Sequence, residues 1–302
     1  MKNQRLCFLL AIIVSTLNLK AQNTNDTLGE NKSYNNFRIG VATGVLAGSY
    51  YYLENIWWKD NHRNFHFDGG ADLTYALNVD KAAHFMGGML VSEFAYEQLR
   101  SFQKNKKKAI WQSAGIGFLT QFAIEIKDGY APYWGFSFGD LLSGGAGSLF
   151  FAGKKLSSSL KMVEMKFSYW RHSDSYFDLE TQRNLKTGEP RPNEYLWHED
   201  YPNQTYWISF NIKELTENED WPDYLNIAIG FGLDDKQELN NNLTKTGGSN
   251  ELYLAIDYNV PKLFKRYNTT RARKIKKWLN YFKFPAPTIQ VYPTIKIFPF
   301  FL

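Results

Sequence analysis

The sequence predicts an α+β protein: an N-terminal bundle of about four helices packed through small residues, then an antiparallel β half of five or six strands. Three observations carry this. Residues 37–156 repeat their apolar positions at helical spacing, and residues 162–302 alternate at period two. Polar, turn-rich segments such as "DDKQELNNNLTKTGGSN" (234–250) separate the alternating runs.

The chain opens with a segment of a different kind. Residues 1–21 carry Lys2 and Arg5, an apolar run from Leu6 to Leu19, and Ala21 at a cleavable end, which reads as an export signal. The one cysteine, Cys7, lies inside that run, so the exported chain has no thiol for a disulfide, a nucleophile or a metal. The formal charge of +5 also shrinks, because Lys2, Arg5 and Lys20 leave with the signal; 32 basic residues then face 30 acidic ones. No clustered basic face supports nucleic-acid binding. An aromatic content of 17% fits an envelope protein or a large aromatic core.

Helices are expected over 36–56, 80–102, 107–128 and 137–156, forming a helical domain over 36–156. Each carries one narrow stripe of small or polar residues: Gly40, Gly44, Gly48; Asp80, His84, Gly88, Ser92; Gly117, Gln121, Glu125, Asp128; Asp140, Gly144, Gly147. The remaining surface is broadly apolar. Such stripes should face neighbouring helices, because glycine facing solvent costs a helix about 1 kcal/mol per residue and gains nothing. Strands follow over 157–302. "VEMKFSY" places Val163, Met165, Phe167 and Tyr169 on one face and Glu164, Lys166 and Ser168 on the other; "YWISFNI", "LNIAIGF", "LYLAIDYNV" and "TIQVYPTIKIF" repeat the pattern. Five or six strands are fewer than the eight at which a simple membrane barrel begins.

Short links make consecutive helices antiparallel, so Asp80, His84, Glu125, Asp128 and Asp140 should meet at one end of the bundle. Two aromatic segments, "WWKDNHRNFHF" (57–67) and "GYAPYWGF" (129–136), are placed to roof them. Taken singly, each has a plainer role. Asp80 suits a helix N-cap, Ser137 and Asp140 form a capping box, His84 can hydrogen-bond a neighbour, and Asp128 precedes Gly129 where water can reach it. Glu125 is harder to place, because an unpaired buried charge costs several kcal/mol; it should pair with His84 or Lys81 or carry a raised pKa. As a set the five can be a structural polar core, bind a divalent metal, or run acid–base chemistry. No cofactor motif occurs, and His62, His66, His172 and His198 lack a metal-ligand spacing.

"DKAAHF" (80–85), "EIKDGYAPYWGFSFGDLLSGGAG" (125–147) and the apolar helix between them resemble the YfiM-like family, a domain of unknown function described as a periplasmic lipoprotein. The matching positions are Asp80, Lys81, His84, Glu125, Asp128, Gly135, Phe136, Ser137 and Asp140. Its longer Bacteroidetes-type form is similar at "NFHF" (64–67), "NQTYWISFNI" (203–212), "WPDYLNIAIGFG" (221–232) and "FPAPTIQVYP" (284–293), so the resemblance spans most of the exported chain. It implies a cell-envelope location and no established activity. No cysteine follows the signal here, a departure from the lipoprotein pattern.

An inner-membrane span fits poorly. The apolar stretches run about 15–18 residues where about 20 are needed, and "KNKKK" (104–108) would fall on the non-cytoplasmic side. The expectation is an exported outer-membrane or periplasmic protein that binds membrane lipid or an envelope protein without turnover. The alternatives are a metal-dependent or acid–base enzyme acting on an envelope lipid or cell-wall substrate, and a transport component.

Overall fold

The computed structural model describes residues 40–41, 44, 48–49, 51–52, 54–58, 63–70, 73–100, 103–131, 134–187 and 197–302. The expected export signal lies outside the described residues, as does much of the first expected helix. Of that helix, the described positions 40–52 are helical and end in a π-helical turn, Glu54–Trp58.

Three long helices follow where the periodicity places them: α1 (Val79–Leu99), α2 (Lys106–Asp128) and α3 (Phe138–Leu156). Their starts are chemically marked. Asn105 accepts a hydrogen bond from Lys108 N and Ser137 from Asp140 N, each satisfying an amide that the first turn leaves without a carbonyl. Asp80 is not the N-cap expected of it; Asn78 holds that position, and Asp80 lies inside the first turn.

The helices pack backbone to backbone. A Cβ on Gly147 would collide with the Phe85 carbonyl, one on Gly88 with the Gly144 carbonyl, and one on Gly117 with Ser92. Ser92 and Ser148 both donate to the Gly88 carbonyl, at 2.7 and 3.3 Å. The inward reading of the small-residue stripes therefore holds for α1–α3. It does not hold for Gly40, Gly44 and Gly48, where a Cβ would meet nothing within 4 Å.

The second half is a six-stranded antiparallel sheet in the order β1-β2-β3-β6-β7-β8, built from β1 (Val163–Tyr169), β2 (Gln204–Phe210), β3 (Leu225–Leu233), β6 (Asn250–Tyr258), β7 (Ala286–Tyr292) and β8 (Lys296–Phe301). "TIQVYPTIKIF" is two strands, turning through a cis Tyr292–Pro293 bond. The polar segment 234–250 holds a second small sheet, β4 (Gln237–Leu239) with β5 (Lys245–Gly247). Four helices that the alternation did not disclose connect the strands: α4 (Ser175–Thr187), α5 (Ile212–Thr216), α6 (Val260–Leu263) and α7 (Thr270–Leu279).

The sheet rolls up. Phe301 on β8 lies 6.1 Å from Trp207 on β2, ring to ring, although three strands separate them. On the far side, Phe167 of β1 exchanges backbone hydrogen bonds with Tyr281 and Lys283. The concave face this encloses mixes an aromatic cluster of Trp207, Tyr253 and Phe301 with buried polar groups. Lys166 and Asp257, both fully buried, pair at 2.7 Å; Ser209 donates to Asp257 at 2.6 Å and Asn226 donates to Ser209 at 3.0 Å. Burial pulls the Lys283 ammonium down to about 8 against the opposing pull of Asp257.

The convex face is apolar. One register row crosses five strands as Ile208, Ile229, Leu254, Ile289 and Ile297, exposed by 43, 50, 44, 39 and 75%. The same face continues at Met165, Tyr206 and Leu233, which share one core cluster with Val79, Met86, Met89, Ile110 and Phe151 of the helices. The helices thus cover one part of the convex face and leave the rest open. A second tie between the halves is ionic: Glu93 of α1 accepts from Lys155 of α3 at 2.9 Å and from Lys277 of α7.

Candidate functional site

The chain enters α1 through a left-handed stretch, Ala76, Leu77 and Asn78 at φ 48, 45 and 67°. Side chains rarely adopt this conformation without outside support. Asn250 supplies it by donating to the Leu77 carbonyl at 2.8 Å, and Gln237 donates to the Thr74 carbonyl at 3.3 Å. The β half therefore fixes where α1 begins, and with it Asp80, Lys81 and His84.

The predicted set converges. Asp80, His84, Glu125, Asp128 and Asp140 all line one cavity of about 170 Å³ at the end of the bundle. Lys81 Nζ lies 3.1 Å from both Asp80 Oδ2 and Asp140 Oδ1, bridging α1 to α3. Glu125 Oε2 accepts from the Ser137 amide at 2.9 Å, while Oε1 is 3.7 Å from His84 Nδ1. His84 Nε2 is 4.0 Å from Asp140 Oδ2, and Nδ1 is 2.9 Å from Gln121 Oε1. Of the two partners expected for Glu125, His84 is the one seen at 3.7 Å.

Asp128 differs from its expectation as a solvated helix end. Its carboxylate accepts from the Trp58 indole at 2.8 Å. Burial raises its pKa to about 7; Asp140 and Glu199 add to the rise, and the Trp58 hydrogen bond opposes it.

The aromatic segments pair with each other at the cavity's edge, where Asp68, Trp134 and Gly135 line it. Phe67 bridges Phe136, and Phe65, Phe67, Phe136 and Phe138 cluster within 6 Å. Gly135, at φ 144°, sits where a Cβ would strike the Asp68 backbone, so only glycine allows this approach.

The second half supplies the cavity's other wall with Arg183, Glu199, Tyr201 and Lys245, which sequence reasoning missed. Lys245 pairs with Glu180 and lies 3.6 Å from the Tyr176 ring centroid and 4.4 Å from that of Tyr75. No local pattern marks these residues, because each reaches the cavity through tertiary packing. Gln121 did carry a signal, its place on the stripe between Gly117 and Glu125.

Chemically, six carboxylates (Asp68, Asp80, Glu125, Asp128, Asp140 and Glu199) line a cavity whose basic lining groups are His84, Arg183 and Lys245, with Lys81 bridging below. One donor atom each from His84, Glu125 and Asp140 lies within 4.8 Å of the other two. The arrangement can hold a cation or exchange a proton. No protein-family model, no curated protein and no solved structure matches the chain.

Proposed function

We propose that this chain is a lipid-seated protein of the cell envelope, exported by its first 21 residues and kin to the YfiM-like proteins, and that it acts by binding lipid rather than by turnover. The observation that carries the reading is the open apolar face of the sheet. Antiparallel sheets in water turn apolar residues to the core and polar ones outward. Strands in a bilayer turn apolar residues outward, and here the open face holds Ile208, Ile229, Leu254 and Ile289 while the buried face mixes Lys166, Asp257 and Ser209 with Trp207, Ala228 and Tyr253.

Two further features fit. Trp111, Phe118, Leu119 and Phe122 on α2, with Phe138, Leu142 and Leu149 on α3, extend exposed apolar surface onto the helices. At the end of the molecule marked by the Glu93 ion cluster, α7 ("TRARKIKKWL") exposes Arg271 and Arg273 beside Ile275 and Leu279, the composition of a helix that rests in a headgroup layer. No described helix is long and apolar enough to cross a membrane, so the sheet is the candidate for contact with hydrocarbon.

A photoreactive amino acid placed at Ile229, Leu254 or Ile289 of the full exported chain tests this. Phospholipid adducts at those positions, and none at the buried neighbours Ala228 and Ala255, are expected. Adducts to protein alone, or yields equal to the buried controls, overturn it.

A specific observation also favours the enzymatic alternative: Asp128, held at about 7, lines the same cavity as His84, in the range suited to general acid–base work. The two readings part at Glu125→Gln. A variant that folds normally yet loses a turnover on envelope lipid supports the enzyme; a variant that only loses stability supports the binder.

A further inference from the structure

We propose that His84, Glu125 and Asp140 form a binding site for a first-row divalent cation such as Zn²⁺ or Mn²⁺. The argument starts from the imidazole. Its Nδ1 is 2.9 Å from Gln121 Oε1, a carbonyl oxygen that can only accept, so Nδ1 carries the proton and donates it. In neutral His84 the lone pair is then on Nε2, the atom that faces Asp140 Oδ2 at 4.0 Å. Both atoms are acceptors. The gap is too long for a hydrogen bond even from an imidazolium.

Lys81 does not resolve this apposition, because its ammonium contacts the other oxygen of Asp140, Oδ1. Glu125 also approaches the ring: Oε2 takes the Ser137 amide, and Oε1 lies 3.7 Å from Nδ1. One atom each from three side chains on three helices thus falls within 4.8 Å of the other two, with the Nε2 lone pair facing Asp140. A metal with bonds of roughly 2.0–2.2 Å to nitrogen and carboxylate oxygen bridges separations of this size.

The surroundings are those of a ligated histidine. Ligating imidazoles donate their second N–H to an acceptor that fixes ring and tautomer, the part Gln121 plays here. One imidazole nitrogen with two carboxylates suits Zn²⁺, Mn²⁺ or Fe²⁺ better than Ca²⁺ or Mg²⁺, which prefer oxygen alone. A dication also offsets the carboxylate surplus of the cavity. The site uses no residue of the convex sheet face, so it stands or falls separately from the lipid reading.

The test uses the full chain in detergent, stripped with chelator and then titrated with Zn²⁺ or Mn²⁺. Metal analysis gives stoichiometry. Diethylpyrocarbonate footprinting by mass spectrometry reports His84, with His66, His172 and His198 as internal references. Binding of one ion per chain should protect His84 and leave the reference histidines unchanged. Gln121→Leu should weaken affinity by about 10-fold or more, as loss of an orienting partner does, and Asp140→Asn by more. No saturable binding, an ion bound with His84 still reactive, or equal protection by Ca²⁺ or Mg²⁺ would each overturn the assignment. Should Asp140→Asn fail to fold, the wild-type footprint decides alone.

Discussion

Two polar interiors sit in this molecule, one inside the rolled sheet and one at the end of the helical bundle. In the sheet the central charges are paired: Lys166 meets Asp257 and also donates to the Tyr258 carbonyl at 2.6 Å, and Asn226 and Ser209 extend the chain of hydrogen bonds to Asp257. In the bundle pocket carboxylates outnumber cations around a cavity, and a histidine lone pair faces a carboxylate. The first interior centres on an ion pair and reads as structure. The second offers a cavity and acceptor groups to a proton or an ion, as proposed above.

The sharpest way to break this contrast is to remove one charge from each interior. Asp257→Asn strands the Lys166 ammonium at a fully buried position and should cost about 3–5 kcal/mol, read as a fall in the denaturant midpoint. The double variant Lys166→Met with Asp257→Leu should recover most of that loss, because two well-packed apolar groups leave no charge behind. Asp140→Asn in the metal-free chain should cost far less, since it relieves part of the acid surplus. Equal losses at Asp257 and Asp140 would erase the distinction.

Much of both interiors was legible in the sequence. The three helices fell within a few residues of their expected bounds, and the Asp80, His84, Glu125, Asp128, Asp140 set converges because short links leave antiparallel helices no other arrangement. Period two likewise separated Met165 and Phe167 from Lys166 and Ser168. What period two cannot say is which face is inside. Habit assigns the apolar face to the core, yet Lys166 is sealed and Ile229 is half open. The cavity's second wall was illegible for a different reason. Arg183, Glu199 and Lys245 reach it only through packing of distant segments, and Lys245 sits in a run that reads as a polar loop.

The pocket depends on backbone contact in a way the sheet interior does not. His84 meets Asp140 because α1 and α3 touch at Gly147 and Phe85. Gly147→Ala should push them apart at a cost of about 1–3 kcal/mol, despite alanine's better helix propensity. The glycines of the first helical segment supply the control. Gly44 has open space around it, so Gly44→Ala should stabilise by up to about 1 kcal/mol. Thermal melts of the two variants test whether a glycine stripe marks a packed seam or only resembles one.

The smallest expected effect lies in the pH dependence of the pocket. Asp128 has its pKa raised from 3.8 to about 7, first by burial and then by Asp140 and Glu199, against the Trp58 hydrogen bond. The folded chain therefore holds a proton that the unfolded chain has released between pH about 4 and about 7. Stability from this group is complete below that window and is lost as pH rises through it, with a slope of at most about 1.4 kcal/mol per pH unit. Other carboxylates titrate in the same range, so the readout is the difference between wild type and Asp128→Asn, both in chelator. Wild-type stability relative to Asp128→Asn should fall steadily from pH 4 to 7 and level off above. A flat difference would mean that Asp128 is ionised in the folded chain, and the pocket would then hold its charges as settled as those of the sheet.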